Sequence, residues 1–378
     1  MSQGKLRVAV VGVGHLGQHH ARILSQIEGV ELVGVADSRI EQARTVADRV
    51  GTAAHSDYRE FYDKIDAVSI AAPTFLHREI AGDFLSRGIA TLVEKPLAST
   101  AKDAEELVAI AAETSTLLQV GHIERFNPAL ELLDGLDLVP KYITAERLSS
   151  YTFRSTDIGV VHDLMIHDID LLLSLVSSPV KWVSAVGVNV FGGREDIASA
   201  RIEFENGCVA SLSANRASQQ NRREMKIYGE EGFASLDFAA KQGIWITPSE
   251  TLRQGVIDLA GVDMTQPSAI KDHVFGKILR VDRVQPEGGD ALAQELENFV
   301  RAALKLGVPK VDGAAALSAL RLADAILDSL NQRVWPATAR SPKPLESWKE
   351  TKIGAEAHLP RGPISWRKKA KGSEIIAQ

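Results

Sequence analysis

The chain contains 378 residues, of which 45% are hydrophobic and 24% are charged, and its formal net charge is -6. This length favours two domains, and the acidic balance gives no reason to expect a nucleic-acid partner. The single cysteine, Cys208, excludes an intramolecular disulfide and a cysteine zinc cluster. The N-terminus leaves no room for a signal peptide, and no apolar run approaches the roughly 18 residues of a membrane helix. These features predict a cytoplasmic protein without membrane contact.

A glycine-rich turn follows the first predicted strand. Val8–Gly17 begins as a β-branched apolar run and then breaks into Gly12-Val13-Gly14-His15-Leu16-Gly17. At this spacing Gly12 permits a tight turn, Gly14 lets the backbone approach a pyrophosphate, and Gly17 lets the next helix pack closely on the strand. Because the N-terminus of that helix directs amide groups at phosphates, the pattern predicts a dinucleotide site.

The second predicted strand, Glu31–Asp37, ends in an acidic residue. Asp37 occupies the position from which dinucleotide-binding proteins contact the ribose hydroxyls of the adenosine. A carboxylate there repels the 2′-phosphate of NADP, whereas Arg39, two residues further along, attracts it. We give the acid more weight, and Asp37-Ser38-Arg39 therefore predicts NAD rather than NADP.

Two further predicted strands end in short loops. Ile65–Ala71 leads into Ala72-Pro73-Thr74-Phe75-Leu76-His77, and Ile89–Val93 leads into Glu94-Lys95-Pro96. In a doubly wound sheet the ligand lies beyond the carboxyl ends of the strands, so both loops are expected to border the cofactor. A lysine at this position can hydrogen-bond a substrate hydroxyl. Lys95 is therefore a candidate catalytic residue, and its bond to Pro96 is expected to be cis.

Strands and helices alternate throughout this half of the chain, which predicts a parallel sheet with helices on both faces. The expected helices are His19–Gln26, Ile40–Val50, Glu79–Arg87 and Ala101–Glu113, and the fifth strand is Leu117–Gly121. We interpret the histidines at the start of the first helix, His20 among them, as solvated residues. The predicted fold class is α/β, with a doubly wound Rossmann domain at residues 1–125.

A second motif with catalytic chemistry lies in Val160–Val176, which is predicted to be one continuous helix. Asp163 and His167 are four residues apart, so their side chains share a face, and the carboxylate is expected to orient the imidazole as an acid/base group. A histidine in a salt bridge on a solvated face is the alternative. A metal site is disfavoured because His162 and His167 diverge around a helix, and we predict no metal.

Beyond Pro179 the pattern changes to a meander of strands, which predicts a large, mostly antiparallel open sheet in an α/β domain at 126–332. The expected strands are Val180–Val190, Ala198–Glu205, Cys208–Ala214, Glu224–Gly229 and Phe233–Phe238. Arg216, Arg222 and Arg223 cluster near one strand connection and could bind a diphosphate through forked contacts. Simple solvent exposure is the other interpretation of these arginines.

The remaining segments are expected to complete the second domain. Thr251–Gly289 has little periodicity and is interpreted as an irregular insertion that covers the site. Asp290–Leu306 and Ala314–Gln332 are strongly helical and are expected to pack against both domains. From Trp335 onward, prolines, glycines and a basic cluster predict an extended C-terminal tail at 333–378.

Four motifs in a fixed order resemble one known family. GxGxxG at Gly12–Gly17, APTxxxH at Ala72–His77, EKP at Glu94–Pro96 and DxxxH at Asp163–His167 are similar to those of the glucose-fructose oxidoreductase/inositol dehydrogenase/MocA family of NAD(P)-dependent sugar and cyclitol dehydrogenases. The likeness covers roughly residues 5–331. Within the family, GHIERFNP at 121–128, with Asn215-Arg216, Arg222, Arg223 and Gly229, looks most like UDP-N-acetylglucosamine 3-dehydrogenases.

The resemblance assigns roles to the matching residues. Lys95, Asp163 and His167 correspond to catalytic or substrate-holding groups of the family. The predicted cofactor-binding residues are Gly12, Gly14, His15, Leu16, Gly17, Asp37, Ser38, Arg39, Ala72, Pro73, Thr74, His77, Glu94, Lys95 and Arg125. The predicted substrate-binding residues are Lys95, Arg125, Phe126, Asn127, Asp163, His167, Asn215, Arg222 and Arg223. The family also uses its C-terminal sheet as an oligomer interface, which implies a homodimer or homotetramer.

The leading hypothesis is an NAD-dependent dehydrogenase that oxidises UDP-N-acetylglucosamine at the sugar C3. The hydroxyl is expected between Lys95 and His167, either of which is a candidate base, while Asp163 orients the site. The alternatives are a free sugar or inositol-type dehydrogenase, a non-catalytic family member that senses the dinucleotide, and an enzyme that never releases its cofactor.

Overall fold

Two sheets follow one another along the chain in a computed structural model that describes residues 4–152, 158–191, 193–284 and 289–332. The strands of the first sheet are β1 (Leu6–Val11), β2 (Val30–Ala36), β3 (Ala53–His55), β4 (Ala67–Ile70), β5 (Ala90–Glu94) and β6 (Leu118–Gly121). They pair in parallel in the order β3-β2-β1-β4-β5-β6. This topology confirms the predicted Rossmann sheet, although the short β3 was not predicted.

Helices cover both faces of this sheet, which explains why its strands are apolar throughout. The helices are α1 (Gly17–Leu24), α2 (Ile40–Val50), α3 (His77–Leu85) and α4 (Ala101–Glu113). α1 and α2 pack on one face, and α3 and α4 pack on the other. The bounds of α2 and α4 are as predicted, and the other predicted elements differ by one or two residues at their ends.

The second sheet is larger and mostly antiparallel, as predicted. Its strands are β7 (Tyr142–Leu148), β8 (Val180–Val188), β9 (Ile197–Phe204), β10 (Val209–Asn215), β11 (Arg222–Tyr228), β12 (Phe233–Asp237), β13 (Gln242–Pro248) and β14 (Leu279–Val284). Their order is β14-β13-β12-β11-β7-β10-β9-β8, and β7 pairs in parallel with β10. β7 was not predicted because charged residues, Glu146 and Arg147, interrupt its apolar pattern.

One face of this sheet is buried, and we call it the inner face; the opposite side is the outer face. The remaining helices are α5 (Ile166–Leu175), α6 (Glu250–Arg253), α7 (Pro267–His273), α8 (Ala291–Ala303) and α9 (Gly313–Asn331). α5 and α9 pack on the inner face. The helix predicted at Val160–Val176 is present, and its first part is a π-helical turn at Val161–Met165 that runs directly into α5.

The last helices connect the two halves. Leu296 and Phe299 of α8 belong to the core beside α1 and α2, and α9 contributes to the cores of both sheets. The expected insertion at Thr251–Gly289 is more regular than predicted, because its described part supplies α7 and the edge strand β14. The expected tail at 333–378 lies outside the described residues. Among the described helices, none has the length and hydropathy needed to cross a membrane.

Candidate active site

The carboxyl edge of the six-stranded sheet gathers the motifs that the sequence singled out. The glycine-rich turn follows β1, Asp37 follows β2, the loop 72–77 follows β4, Lys95 follows β5 and His122 follows β6. In parallel sheets these ends meet at one edge, where ligands bind. The edge faces α5 and the inner face of the second sheet, so the candidate site lies between the two sheets.

A cavity of about 710 Å³ opens at this edge, a volume typical of small-molecule sites. Of the predicted cofactor-binding residues, it is lined by Gly12, Gly14, His15, Leu16, Asp37, Ser38, Arg39, Ala72 and Pro73. Sequence reasoning missed Tyr58 and Arg59, which also line it. They follow β3, which was not predicted. Because β3 lies next to β2 in the sheet, predicting this strand would have placed both residues beside the cavity.

Local geometry explains why glycines build this cavity. Gly12 has φ +81°, and a Cβ there would lie 2.6 Å from the backbone nitrogen of Ala72. A Cβ on Gly17 would collide with the carbonyl oxygen of Gly12. Asp37 is held in place because Oδ2 accepts from the Val13 amide at 3.1 Å and Oδ1 accepts from the Arg39 amide at 3.0 Å. The side chain of Arg39 is 74% exposed.

Six predicted cofactor residues do not line this cavity, namely Gly17, Thr74, His77, Glu94, Lys95 and Arg125. Thr74 lines a separate cavity of about 550 Å³ near His162 and α9. His77 is buried, and its ring nitrogens lie 3.0 Å from the carbonyl oxygen of Pro96 and 2.8 Å from that of Ala72, so it ties two loops together. The Lys95–Pro96 bond is cis, as expected.

Glu94 also points away from the cavity and into the protein. Its carboxylate lies 3.1 Å from Nε2 of His20 and accepts from the Lys95 amide at 3.2 Å. Burial acts to raise the pKa of Glu94, yet the contacts with His20 and Lys95 outweigh it and lower that pKa. The expected solvation of His20 is wrong, because its ring is fully buried and also bonds Ser69 Oγ at 2.8 Å.

Lys95 reaches across the domain boundary to Asp163. Its Nζ donates to the backbone carbonyl oxygen of Asp163 at 2.7 Å and lies 3.5 Å from the carboxylate of the same residue. Asp163 belongs to the π-helical turn, a local widening that is frequent at functional sites. The carboxylate of Asp163 therefore faces Lys95, and the expected pairing of Asp163 with His167 is not formed.

His167 is a half-buried, neutral imidazole beside several cations. Burial, followed by the charges of Lys95 and Arg147, holds the pKa of His167 well below its ordinary value. Its Nδ1 is buried and has no hydrogen-bond partner among the described residues. Nε2 does not belong to these buried, unpartnered atoms, so it is the ring nitrogen open to a ligand. A neutral imidazole with one open nitrogen is suited to accept a proton.

A buried ion-pair network positions the helix that carries His167. Arg147, only 3% exposed, donates to both carboxylate oxygens of Asp168 at 3.0 and 2.7 Å and to Glu124 at 2.8 Å. Sequence reasoning missed Arg147, and a charged pair within an otherwise apolar strand was the available signal. His162 separately contacts Asp324 at 3.2 Å, and the described residues contain no cluster of three or more metal-ligating groups.

The expected cluster of three arginines does not form. Arg216 is buried against Asp196 at 2.7 Å. Arg222 bonds Glu146 on the outer face, also at 2.7 Å, and Asn215 lies in the same outer row. Arg223, the next residue in the strand, points to the inner face and lies 3.7 Å from Glu124. Successive side chains of a strand alternate between faces, so Arg223 alone of the adjacent pair faces the site.

The segment after β6 is largely structural. Asn127 uses its amide fully, because Nδ2 donates to Glu124 and Phe238 while Oδ1 accepts from the Ala129 amide. Phe126 is buried. Arg125 lies 3.5 Å from Asp170 and donates to the Lys310 carbonyl. The structure does not bring these side chains to the cofactor cavity, so binding roles for them stay predictions.

Comparisons with known proteins agree with this architecture. The family described as "Oxidoreductase family, NAD-binding Rossmann fold" matches residues 6–122, and the GFO/IDH/MocA C-terminal domain matches 140–235. UDP-N-acetylglucosamine 3-dehydrogenase of Acidithiobacillus ferrooxidans is 38% identical over 62% of this chain and 74% of that protein. scyllo-Inositol 2-dehydrogenase (NAD(+)) of Bacillus subtilis is 30% identical over 60% of this chain and 72% of that protein.

A solved structure gives the same result over most of the chain. UDP-N-acetylglucosamine 3-dehydrogenase GnnA from A. ferrooxidans superposes with a TM-score of 0.77 and 32% identity, covering 87% of this chain and 99% of that one. The sequence matches and the fold together identify the protein at the level of its family. The chain belongs to the Gfo/Idh/MocA oxidoreductases with an NAD-binding Rossmann fold, and it is an NAD(P)-dependent dehydrogenase acting on CH–OH groups.

Proposed function

We propose that this dehydrogenase oxidises a secondary sugar hydroxyl with NAD, and that its substrate is UDP-N-acetylglucosamine, oxidised at C3. The observation that carries the proposal is that Lys95, whose charge acts on the neutral His167, follows β5 at the same sheet edge as the cavity lined by the glycine-rich turn and Asp37. The similarity to the A. ferrooxidans enzyme supports this substrate. A cytoplasmic location stays a prediction, in keeping with the free, buried thiol of Cys208.

The cavity residues fit a dinucleotide. The open space beside Gly14 leaves room for a pyrophosphate at the N-terminus of α1, and the fixed carboxylate of Asp37 faces the position of the ribose hydroxyls. That carboxylate supports NAD over NADP, because it repels a 2′-phosphate. Arg39, the residue that attracts such a phosphate, is solvent-exposed and lies 3.6 Å from Asp37. NAD supplies the hydride acceptor when it is bound.

The contacts of Lys95 and His167 suggest separate roles for them. A carbonyl oxygen and a carboxylate both contact Nζ of Lys95, and we assign this group as the donor that holds the substrate oxygen. His167 is then the base that takes the hydroxyl proton on Nε2. Asp163 acts through Lys95 by keeping the ammonium in position.

Arg223 is the residue that we propose for contact with the diphosphate of the substrate. It is exposed and lies on the inner face, and its positive charge contributes to lowering the pKa of His167. A forked guanidinium contact with phosphate is favourable at such a position. Among the three arginines expected to bind phosphate, it is the one whose position is compatible with the site.

A free cyclitol or sugar is the second candidate substrate. It is favoured by the loss of two of the three expected arginines, Arg216 and Arg222, and by the similarity to scyllo-inositol 2-dehydrogenase. A substrate without a diphosphate has no need of an arginine cluster.

The test is to incubate the purified protein with NAD and candidate alcohols and to follow the absorbance of the reduced cofactor. We expect turnover of UDP-N-acetylglucosamine and formation of its 3-keto sugar, identified by mass spectrometry. Oxidation of inositol with no turnover of nucleotide sugars would support the second candidate. Absence of turnover with every secondary alcohol contradicts both.

We also propose that copies of the chain associate through the outer face. One row across that face is rich in apolar residues, and it consists of Trp182, Val209, Tyr142, Tyr228, Phe233 and Ile246 with one interruption by Glu203. Trp182 is 49% exposed, and such rows mark interaction sites. Light scattering of the wild type and of Trp182→Glu tests this, with a shift toward monomer expected for the variant.

A further inference from the structure

The buried side chains behind the catalytic pair form a closed polar cluster. The polar atoms there that are buried and lack a hydrogen-bond partner among the described residues are Nδ1 of His122, Nδ1 of His167, Oδ2 of Asp170, Nε of Arg125, Oε1 of Gln119 and both carboxyl oxygens of Glu295. Buried polar groups are nearly always paired, and a concentration of exceptions points to catalysis or to bound water.

His122 connects this cluster to the site. It follows β6 at the same sheet edge as Lys95, is 1% exposed, and its ring lies 6.4 Å from that of His167 at an interplanar angle of 84°. This separation is too long for a direct hydrogen bond between the rings but is within the reach of one bridging water. Both rings have a buried Nδ1, so their Nε2 atoms are the positions open to such a bridge.

Asp170 provides the charge behind His122. Its Oδ2 lies 4.0 Å from Nδ1 of His122 and 3.5 Å from Nε of Arg125. Burial lowers the pKa of His122 and raises that of Asp170, while His122 and Arg125 act against the rise at Asp170. The other charged groups that act on His122 are Lys95, Glu94 and Arg125. A protonated His122 would form a buried ion pair with Asp170.

Glu295 of α8 is a further buried member of this cluster. Burial, and then the carboxylates of Glu94 and Asp170, raise the pKa of Glu295 well above its ordinary value. The raised pKa favours the uncharged form of Glu295, which reduces its repulsion of the Asp170 carboxylate.

We propose that His122, backed by Asp170, is a proton relay that accepts the substrate proton from His167. The inference rests on the proposed function. The hydroxyl O–H bond breaks and its proton goes to Nε2 of His167, while bound NAD would supply the acceptor for the hydride of the adjacent C–H bond, so that the substrate becomes a ketone. Once the ketone oxygen has moved off Nε2, the same nitrogen gives the proton through one water to Nε2 of His122, which returns His167 to its neutral form, and His122 releases the proton to solvent after the product departs.

The test compares His122→Gln and Asp170→Asn with a control, His162→Gln, which removes a half-buried histidine that contacts Asp324 instead. We expect His122→Gln to lower kcat about tenfold with nearly unchanged KM values, and added imidazole buffer to restore several-fold of the loss. Asp170→Asn should show the same buffer dependence to a smaller degree. The wild type and His162→Gln should show no dependence on imidazole concentration.

Two results overturn the relay. One is an unchanged kcat in His122→Gln, and the other is a reduced kcat that imidazole does not raise in a variant whose melting temperature is unchanged. The assay uses whichever secondary alcohol the wild type oxidises, so the relay can fail while the dehydrogenase function stands. A wild type that oxidises no alcohol overturns the proposed function and the relay with it.

Discussion

The two sheets contribute to the candidate site in different ways. The parallel sheet contributes through its carboxyl edge, where Asp37, Lys95 and His122 each follow a strand. The second sheet contributes through its inner face, where Arg147 and Arg223 point. At an edge, the residues of one loop stay together, whereas on a face the next residue in the chain is on the other side of the sheet. A sequence motif therefore predicts well which residues lie at the edge of a sheet. On the face of a sheet, only every second residue of a motif points to the site.

The largest effect should come from replacing the imidazole of His167. We expect His167→Gln to lower kcat by at least about a hundredfold, because general-base catalysis typically contributes that much or more. For the wild type, kcat/KM should stay high well below pH 6.5, since the lowered pKa keeps His167 neutral there, and should fall only at more acidic pH. Steady-state kinetics across pH measure both effects. His162→Gln is the control, and a loss smaller than tenfold in His167→Gln would falsify the assignment of the base.

The Lys95–Asp163 contact gives the next prediction. Asp163→Asn should lower kcat about tenfold, because the ammonium of Lys95 loses the charge that holds it, while general acid–base groups elsewhere remain. The acidic limb of the pH profile should stay in place, since the carboxylate does not face His167. A shift of that limb toward lower pH would instead indicate that Asp163 orients the imidazole.

The adjacent arginines of β11 test the two faces of the second sheet directly. Arg223→Gln should raise KM for UDP-N-acetylglucosamine about tenfold, equivalent to about 1.4 kcal/mol of lost binding, and leave KM for a free sugar unchanged. Arg222→Gln, a matched change one residue away on the outer face, should alter KM by less than about twofold. Equal effects of the two substitutions would contradict the assignment of Arg223 to the site.

Cofactor preference is expected to change less. Asp37→Ala removes the carboxylate that repels a 2′-phosphate, and the ratio of kcat/KM for NAD to that for NADP should fall by several-fold or more. The exposed Arg39 is then available to the phosphate. Measuring kcat/KM with both cofactors tests this, and an unchanged ratio would show that Asp37 does not set the preference.

The smallest effect concerns stability. Because the folded-state pKa of Glu295 is raised, the folded protein holds the carboxyl proton more tightly than the unfolded chain does. The free energy of unfolding therefore falls as pH rises from the unfolded-state pKa toward the folded-state pKa. Glu295→Gln removes that slope, so the melting temperature of the variant should rise relative to that of the wild type as pH increases above the ordinary pKa of glutamate. A constant difference across pH would mean that Glu295 is not the titrating group.

The motifs of the first half could be placed from sequence because each follows an apolar strand. Gly12, Asp37 and Pro73 line the cofactor cavity as predicted. His77 and Glu94 belong to the same motifs but are buried behind the cavity, since their direction depends on partners such as Pro96 and His20. The same argument could have placed His122 at this sheet edge, because it follows the fifth predicted strand.

The second half was harder to predict. β7 was missed because Glu146 and Arg147 interrupt its apolar pattern, and they do so because they bond partners on opposite faces. The pairing of Asp163 with His167 was wrong because helical spacing says which side chains share a face, not which partner an opposing domain presents. Here that partner is Lys95, 68 residues earlier in the chain.

The sequence by itself determined the parallel sheet and the order of its motifs, because these follow from local patterns of apolar and small residues. Its motifs also indicated the family and predicted Lys95 and His167 as the main residues of the chemistry. The tertiary structure decided which group the carboxylate of Asp163 faces, which of the two adjacent arginines of β11 points to the inner face, and which acids are buried. Those outcomes depend on the packing of α5, α8 and the inner face against the sheet edge, and burial and nearby charge set protonation only once that packing exists.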